Sequence, residues 1–295
     1  YAVKEELQDE LQVPSFRLRL LQRNDMVPDK MSWEELGKPE ELQLVILPIG
    51  NGSEEKLLEA AEQGDGKLVK QLLAEPADPN CLDKQTHKSP LLKASAQGHL
   101  KVVKLLIKAQ ASLDLRDGRL ETPLMAACSH GHLEVAQCLL SAGCKKDETD
   151  EHGRTALMMA CTAGHLQVVR LLCEEGSDKD AVDANGRTAL HCAVTHAWDQ
   201  VVQYLLEQRV DKDVLDHQGR SCLHEAVISP RTFGAVRCLV DAGVDKHRAD
   251  AEGRTPLYEA ACHGHKQVVA YLIQHGADVD AADANGKTSL YIACQ

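Results

Sequence analysis

A short pattern of polar and apolar positions recurs along most of the chain. Each copy starts with Thr or Ser, continues with Pro or a small residue and then has Leu; the copies start at Ser89, Thr122, Thr155, Thr188, Ser221, Thr255 and Thr288. Successive copies are 33 residues apart, except for a spacing of 34 between the fifth and the sixth. A fixed period of this length predicts a stacked array of small units rather than two ordinary globular domains.

The copy that starts at Thr122 illustrates the predicted local structure. Thr122 is suited to cap a helix, and Pro123 fits the first helical position because its missing N–H leaves nothing unpaired there. Apolar residues then recur at helical spacing as far as Gly131, and a second helical pattern ends at Gly143. The stretch 147–154 contains Asp-x-x-Gly and predicts a tight turn. Each unit is therefore predicted to consist of a helix pair and a projecting turn.

These motifs resemble the ankyrin repeat. The units combine Thr-x-Leu-x-x-Ala, Gly-His-x-x-Val-Val-x-x-Leu-Leu, Gly-x-Asp and Asp-x-x-Gly-Arg. The resemblance covers residues 54–295 and implies a mostly α-helical solenoid of about seven repeats and a truncated eighth. Three departures from the pattern are visible. Ala197 and Trp198 replace Gly-His in one unit, the segment 229–233 replaces it in the next with one extra residue, and the turn glycine is missing around Leu120.

The first fifty residues follow a different pattern. Residues 3–11 predict a short acidic amphipathic helix, and residues 16–21 and 42–47 predict strands, with turn residues between them. This order resembles the C-terminal two thirds of a ubiquitin-like fold, which implies a truncated α+β segment. The predicted domains are a partial ubiquitin-like segment over 1–50, a linker over 51–53 and an ankyrin array over 54–295.

The ubiquitin-like resemblance also implies a candidate surface. It places Leu21, Gln43 and Val45 where ubiquitin presents its hydrophobic recognition patch. The alternative is that Leu21 and Val45 simply cover the sheet.

Composition narrows the class of protein. The chain has 295 residues, of which 43% are hydrophobic and only 3% aromatic, so its core must consist mainly of Leu, Val, Ala and Cys. The net charge of −12 opposes binding to nucleic acid or to an anionic membrane. No apolar stretch is long enough to span a bilayer. The eleven cysteines recur inside helical patterns, which favours free thiols in a reducing compartment and hence a cytoplasmic or nuclear location.

The cysteines are expected to differ in reactivity. Cys128, Cys161 and Cys192 lie among apolar residues of the predicted first helices and are expected to react slowly. Cys144 lies beside Lys145 and Lys146, and because cations favour the thiolate it is expected to react fastest.

No combination of residues indicates catalysis. The histidines that follow Gly in their units occupy one repeated position, which predicts a shared hydrogen bond that closes the turn between helices: His99, His132, His165 and His265. The apparent metal spacings around Cys128 and Cys262 consist of these histidines and of buried helix positions, so no metal is expected. Phosphate loops, nucleophile elbows and metalloprotease motifs are missing. We expect a protein that is not an enzyme and that has no cofactor.

A row of cations precedes the helix caps. Six of the seven residues at this position are basic, namely Lys88, Arg154, Arg187, Arg220, Arg254 and Lys287, and the seventh is Glu121. One interpretation is structural, with each cation paired to an Asp of a neighbouring turn. The other is that the row binds an acidic segment of a partner protein.

The family resemblance places a binding surface on the concave side, at the turn tips and the ends of the first helices. It assigns partner binding to Glu151, His152, Asn185, His217, Gln218 and Glu252 at the tips and to His130 and His196 at the helix ends, beside Arg154, Arg187, Arg220 and Arg254. Trp198 and Phe233 are further candidates because large aromatic side chains are frequent anchors of interfaces. For these two, the alternative is that they fill the gap left by the missing Gly and His.

The predicted function is a non-catalytic protein-interaction module that acts as a monomeric scaffold or adaptor and binds a partner protein on its concave face. The alternative is the substrate-recognition region of a larger enzyme or ubiquitin-pathway protein whose catalytic part lies outside this chain.

Overall fold

The computed structural model describes residues 18–22, 25–26, 43–46, 52–75 and 77–294. Three short strands form an antiparallel sheet in the order β2-β1-β3, with β1 at Leu18–Gln22, β2 at Asp25–Met26 and β3 at Gln43–Ile46. β3 lies within the predicted strand 42–47, and β1 overlaps the predicted strand 16–21 but ends one residue later. The predicted acidic helix over 3–11 lies outside the described residues, and the ubiquitin-like fold stays a prediction.

The rest of the described chain consists of helices joined by turns, and the helices alternate between first and second helices of successive repeats. They are α1 (Ser53–Gln63), α2 (Gly66–Ala74), α3 (Pro90–Ala96), α4 (Leu100–Lys108), α5 (Pro123–Ser129), α6 (Leu133–Ser141), α7 (Ala156–Ala163), α8 (Leu166–Glu174), α9 (Ala189–Thr195), α10 (Asp199–Glu207), α11 (Cys222–Val227), α12 (Phe233–Asp241), α13 (Pro256–Cys262), α14 (Lys266–Gln274) and α15 (Ser289–Ala293). A 3-10 turn, Pro230–Thr232, precedes α12. First helices pack on neighbouring first helices and second helices on neighbouring second helices, so the array has two layers.

The predicted caps begin the first helices. The hydroxyl of Thr122 accepts the N–H of Met125 at 3.3 Å, and Thr155, Ser89, Thr255 and Thr288 cap their helices in the same way. A Ser or Thr N-cap stabilises a helix by about 1 kcal/mol. The repeated Thr or Ser therefore sets the register of each unit.

Two first helices have a more elaborate cap. His191 and His224, three residues after Thr188 and Ser221, each place Nδ1 within hydrogen-bond distance of the hydroxyl and the N–H of the capping residue. Burial lowers the pKa of His191 to about 4 and also lowers the pKa of His224. Both imidazoles are therefore neutral at pH 7.

The core runs continuously between the two layers. In the repeat that starts at Thr122 it takes Leu124, Ala127 and Cys128 from the first helix and Val135 and Leu139 from the second, all nearly inaccessible. Equivalent side chains of the other repeats continue this cluster along the array. Since each repeat buries its apolar face against the next, the array stabilises itself through neighbour contacts rather than through one central core.

The expectation for Cys144 is wrong. Its side chain is buried, and burial together with the negative charge of Asp114 raises the pKa of the thiol to about 12. The neighbouring Lys145 and Lys146 do not compensate, because their amines pair with Glu148 and with the carbonyl of Glu175. Cys262 and Cys294 are the exposed thiols of the described residues.

The repeated histidines make a different contact from the predicted one. Instead of closing the turn within their own unit, they connect neighbouring repeats. Each Nε2 lies within hydrogen-bond distance of a carbonyl at the end of the preceding first helix: His99 at 3.0 Å from Glu62, His132 at 3.1 Å from Ala96, His165 at 3.2 Å from Ser129 and His265 at 2.8 Å from Ile228. The last carbonyls of a helix have no partner inside it, so these linking histidines satisfy acceptors that would otherwise need water.

Candidate protein-interaction surface

The turn tips form a continuous hydrogen-bonded row. In successive turns, the residue after the Asp that precedes the arginine by four positions donates its N–H to a tip carbonyl of the preceding repeat. Ala184 donates to His152 and His217 donates to Asn185, both at 2.9 Å. The side chains of the predicted tip residues are all exposed: Glu151, His152, Asn185, His217, Gln218 and Glu252. The row therefore presents variable side chains on a fixed backbone.

The close spacing of neighbouring turns explains why each turn favours glycine near its tip. Gly153 has φ +74°, and a Cβ at this position would lie 2.9 Å from the backbone nitrogen of Ala184 in the next turn. Leu120 occupies the equivalent position with φ 61°, in the left-handed region that costs a non-glycine residue roughly 1 kcal/mol. The turn thus keeps its shape where the sequence lacks glycine.

The cations beside the tips pair within their own turns. Nη2 of Arg154 lies 2.7 Å from Asp150, and Nη2 of Arg187 lies 3.0 Å from Asp183. Arg220 and Arg254 pair with the Asp four residues earlier in the same way. The structural interpretation of the cationic row is therefore supported, but the expected partner in a neighbouring turn is wrong.

Each of these aspartates organises its turn. Asp183 also accepts the backbone N–H groups of Asn185 and Arg187 at 2.8 and 2.9 Å. Burial by itself would raise the pKa of Asp183, but these N–H groups and the Arg187 guanidinium outweigh it, so the pKa is lowered. The same balance lowers the pKa values of Asp216 and Asp250. The carboxylates stay ionised at neutral pH and hold the arginines in place.

The residue five positions after each arginine separates the four arginines into two pairs with different surroundings. Arg220 lies 2.6 Å from Glu225, and Arg254 lies 2.9 Å from Glu259. The equivalent residues after Arg154 and Arg187 are Met159 and Cys192, both buried and uncharged at this position.

This difference changes the local charge. Arg254 faces Asp250, Glu252 and Glu259, and Arg220 faces two carboxylates, so both clusters are net negative. Arg154 and Arg187 each form a one-to-one pair with their Asp. Within the described residues, these two guanidiniums have N–H groups that no second carboxylate of the chain occupies.

The helix-end histidines fold back on their own helices and remain exposed. Nδ1 of His130 lies 2.9 Å from the carbonyl of Ala126, and Nδ1 of His196 lies 2.9 Å from that of Cys192. The ring of His130 stacks on that of His132 with centroids 6.1 Å apart. Both side chains lie at the C-terminal ends of first helices, at the opposite end of these helices from the turns.

Trp198 takes the place of a linking histidine. Its Nε1 donates to the carbonyl of Thr162 at 3.0 Å, the equivalent of the histidine contacts in other repeats. The indole also packs on Gly164, where a Cβ would lie 2.4 Å from ring carbons. Trp198 therefore fills the gap left by the missing histidine, and 41% of its surface remains exposed.

The Phe233 ring packs within the array rather than standing free on its surface. It is half-buried, packs against the core cluster and meets the ring of Tyr271 edge-to-face with centroids 5.6 Å apart. Just before it, the hydroxyl of Thr232 bonds to the carbonyls of Ala226 and Ser229 in its own repeat. The residue before α12 therefore does not bond to the preceding repeat, unlike the linking histidines.

No group of three or more His, Cys, Asp or Glu side chains among the described residues is arranged to hold a metal ion. Nor do the described residues include a helix with the length and apolar character needed to cross a bilayer.

Comparison with protein families agrees with the geometry. The model for ankyrin repeats (3 copies) matches residues 57–150, 111–183, 142–216, 175–250 and 223–295. These overlapping matches cover most of the chain, and the protein belongs to the ankyrin repeat family. No curated protein matches the chain. Ankyrin repeats are generally protein-interaction modules and are typically not catalytic, which is the general class of this chain.

Proposed function

We propose that this chain is a non-catalytic scaffold or adaptor that binds a partner protein along its turn tips and first helices, the surface that forms the concave side of such arrays. The observation that carries the proposal is the exposed row of variable tip side chains on a hydrogen-bonded backbone. A rigid frame with a variable surface suits recognition because little entropy is lost when it binds.

Within this surface, Arg154 and Arg187 are the residues that bind an acidic segment of the partner. Each retains unoccupied N–H groups beside a single Asp, and each is about one third exposed. A guanidinium can pair with a carboxylate through two parallel hydrogen bonds. Arg220 and Arg254 are poor candidates, since an incoming carboxylate there would meet Glu225 or Glu259.

The test is selection of peptides from a displayed random library on the intact chain. Selected peptides should be enriched in Asp and Glu, and their binding should weaken with added salt because exposed charge interactions are screened over about 8 Å at physiological ionic strength. The double variant Arg154→Gln/Arg187→Gln should weaken binding roughly tenfold, since it removes two charge-assisted contacts.

Arg220→Gln/Arg254→Gln is the matched control and should leave binding within about twofold. Peptides that bind equally well to both double variants and at high salt would contradict the role of the arginines. In that case recognition would depend on the tips, with His152, Asn185 and Gln218 as the residues to replace by Ala.

The alternative, a recognition region of a larger ubiquitin-pathway protein, is favoured by one backbone observation. The register pairs position 21 with position 43, and position 45 follows on the same face as position 43 because side-chain direction alternates along a strand. The three positions of the candidate patch therefore share one face of the sheet. Binding of a ubiquitin-receptor domain to the full chain, lost in Leu21→Ala/Val45→Ala, would support this alternative.

A further inference from the structure

A second charged surface lies on the second-helix layer, away from the turn tips. The second helices of the first two repeats, α2 and α4, carry five exposed lysines and no acidic residue: Lys67 and Lys70 in α2, and Lys101, Lys104 and Lys108 in α4. The helices pack side by side. We call these five residues the lysine face.

The lysine face differs from the equivalent surface of later repeats. At the same helix positions, the five later second helices carry two arginines, Arg170 and Arg237, and four acids, Glu134, Glu174, Glu207 and Asp241. Arg170 is engaged over the ring of Tyr204 at 4.4 Å from the ring centroid. At these positions α2 and α4 carry lysine five times and Ala74 once, whereas the later helices carry charges of both signs with acids in the majority.

The lysine face has no counter-charge among the residues that the structure describes. Among the described residues, none of the five amines forms an ion pair, whereas Lys84 and Lys93 of the same repeats pair with Glu55 and Glu62. Five unpaired like charges repel one another, which costs stability unless an anionic partner is bound.

The spacing of the amines suits a short acidic segment. Lys101 and Lys108 are seven residues apart, about 10 Å along the helix axis, and neighbouring helices lie about 10 Å apart. Side chains on one face of an extended peptide recur about every 7 Å, so alternating carboxylates can reach several lysines at once. Neither helix contains an aromatic residue on which a nucleic-acid base could stack.

From this placement we propose that the lysine face of α2 and α4 is an interaction surface for an acidic segment of a partner protein. A short segment contacts only the lysines. A membrane or a nucleic acid is an extended polyanion, and it would also approach the rest of a chain whose net charge is −12. This surface is separate from the turn tips, so two partners can bind the array together.

The experiment uses the intact chain and a fluorescent eight-residue peptide in which glutamate alternates with serine. Lys101→Gln/Lys104→Gln/Lys108→Gln should weaken its binding roughly tenfold at low salt, because three exposed charge contacts are lost. The matched control, Arg237→Gln/Lys246→Gln/Lys266→Gln, removes the same charge from distant repeats and should change binding by less than about twofold. Circular dichroism checks that both variants remain folded.

Cross-linking locates the peptide directly. A carbodiimide joins lysine amines to carboxylates but does not join arginine, so attachment to Lys101, Lys104 or Lys108 distinguishes this surface from Arg154 and Arg187. The cross-links should persist in Arg154→Gln/Arg187→Gln, which keeps the proposal separate from the proposed function.

Three results would overturn the proposal. Equal weakening by both triple variants would mean a response to net charge only, and cross-links spread evenly over all exposed lysines would exclude a defined surface. Phosphatidylserine vesicles or single-stranded DNA that bind more tightly than the peptide, and lose binding in the lysine variant, would assign the surface to lipid or nucleic acid.

Discussion

Residues 122–198 and residues 216–274 have the same helical frame and differ in how its side chains are used. In the first region, His132, His165 and Trp198 connect each repeat to the preceding one. In the second, His265 makes this contact to Ile228, but Thr232, at the equivalent position one repeat earlier, bonds only within its own repeat.

The two regions also differ beside the turn tips. In the first, the residues next to the arginines are apolar, and in the second they are Glu225 and Glu259. A glutamate at one position thus converts an arginine that is available for binding into one whose charge is paired within the chain. Recognition and self-pairing are alternative uses of the same arginine.

The histidine caps should give the largest change in stability. The first helices at Thr122 and Thr155 have methionine at the position of His191. His191 has a pKa of about 4 when folded and 6.5 as its ordinary value, so the unfolded chain binds the extra proton between these pH values. Stability should therefore fall as the pH drops from about 6.5 to 4, by on the order of 3 kcal/mol from this residue.

His191→Met should remove that part of the pH dependence. Urea unfolding at several pH values measures it. The aspartates with lowered pKa lose their contribution only below about pH 4, so they act in a separate window. A slope unchanged by His191→Met between pH 6.5 and 4 would contradict the assignment.

An intermediate effect is expected from removing an inter-repeat connection. Trp198→Ala leaves the carbonyl of Thr162 without its donor and opens the space over Gly164. It should lower the free energy of unfolding by about 1–3 kcal/mol and speed hydrogen exchange in α9 and α10. Trp198→His, which restores the residue of other repeats, should retain most of the stability. Equal losses for both variants would show that the indole acts by packing alone.

The smallest effect tests whether the second region can be converted into the first. Glu225→Met/Glu259→Met should free Arg220 from Glu225 and Arg254 from Glu259, while Glu252 stays beside Arg254. Binding of an acidic peptide should strengthen about threefold, mainly through Arg220, with a stability change of about 0–1 kcal/mol. Titration of the selected acidic peptide into wild type and variant measures this. No gain in affinity would mean that the carboxylates of Glu225 and Glu259 do not compete with a ligand.

Local patterns along the chain were sufficient to predict the period, the caps, the helix pairs and the exposed tips. The arginine pairs were predicted between neighbouring turns but lie within one turn, between Arg and the Asp four residues earlier. Two other predictions failed where a contact or burial depends on residues about one repeat apart. His132 bonds to Ala96 rather than closing its own turn, and Cys144 is buried although lysines adjoin it in sequence. Which arginines remain available depends on the side chain that the next helix brings beside them, and only the three-dimensional register reveals that.

The linking side chains carry a consequence for how such a chain can change in length. His165 contacts the carbonyl of Ser129, and His132 contacts that of Ala96, in each case 36 residues back. Excising residues 123–155 as one whole period would bring His165 to the acceptor that His132 uses, with every donor and acceptor still matched. Removal of a single residue would instead shift the histidine relative to its acceptor carbonyl and break the hydrogen bond between the two repeats at that point. Geometry of this kind favours growth and loss by complete units, and a unit that abandons the contact, as the one with Thr232 does, is free to take an insertion.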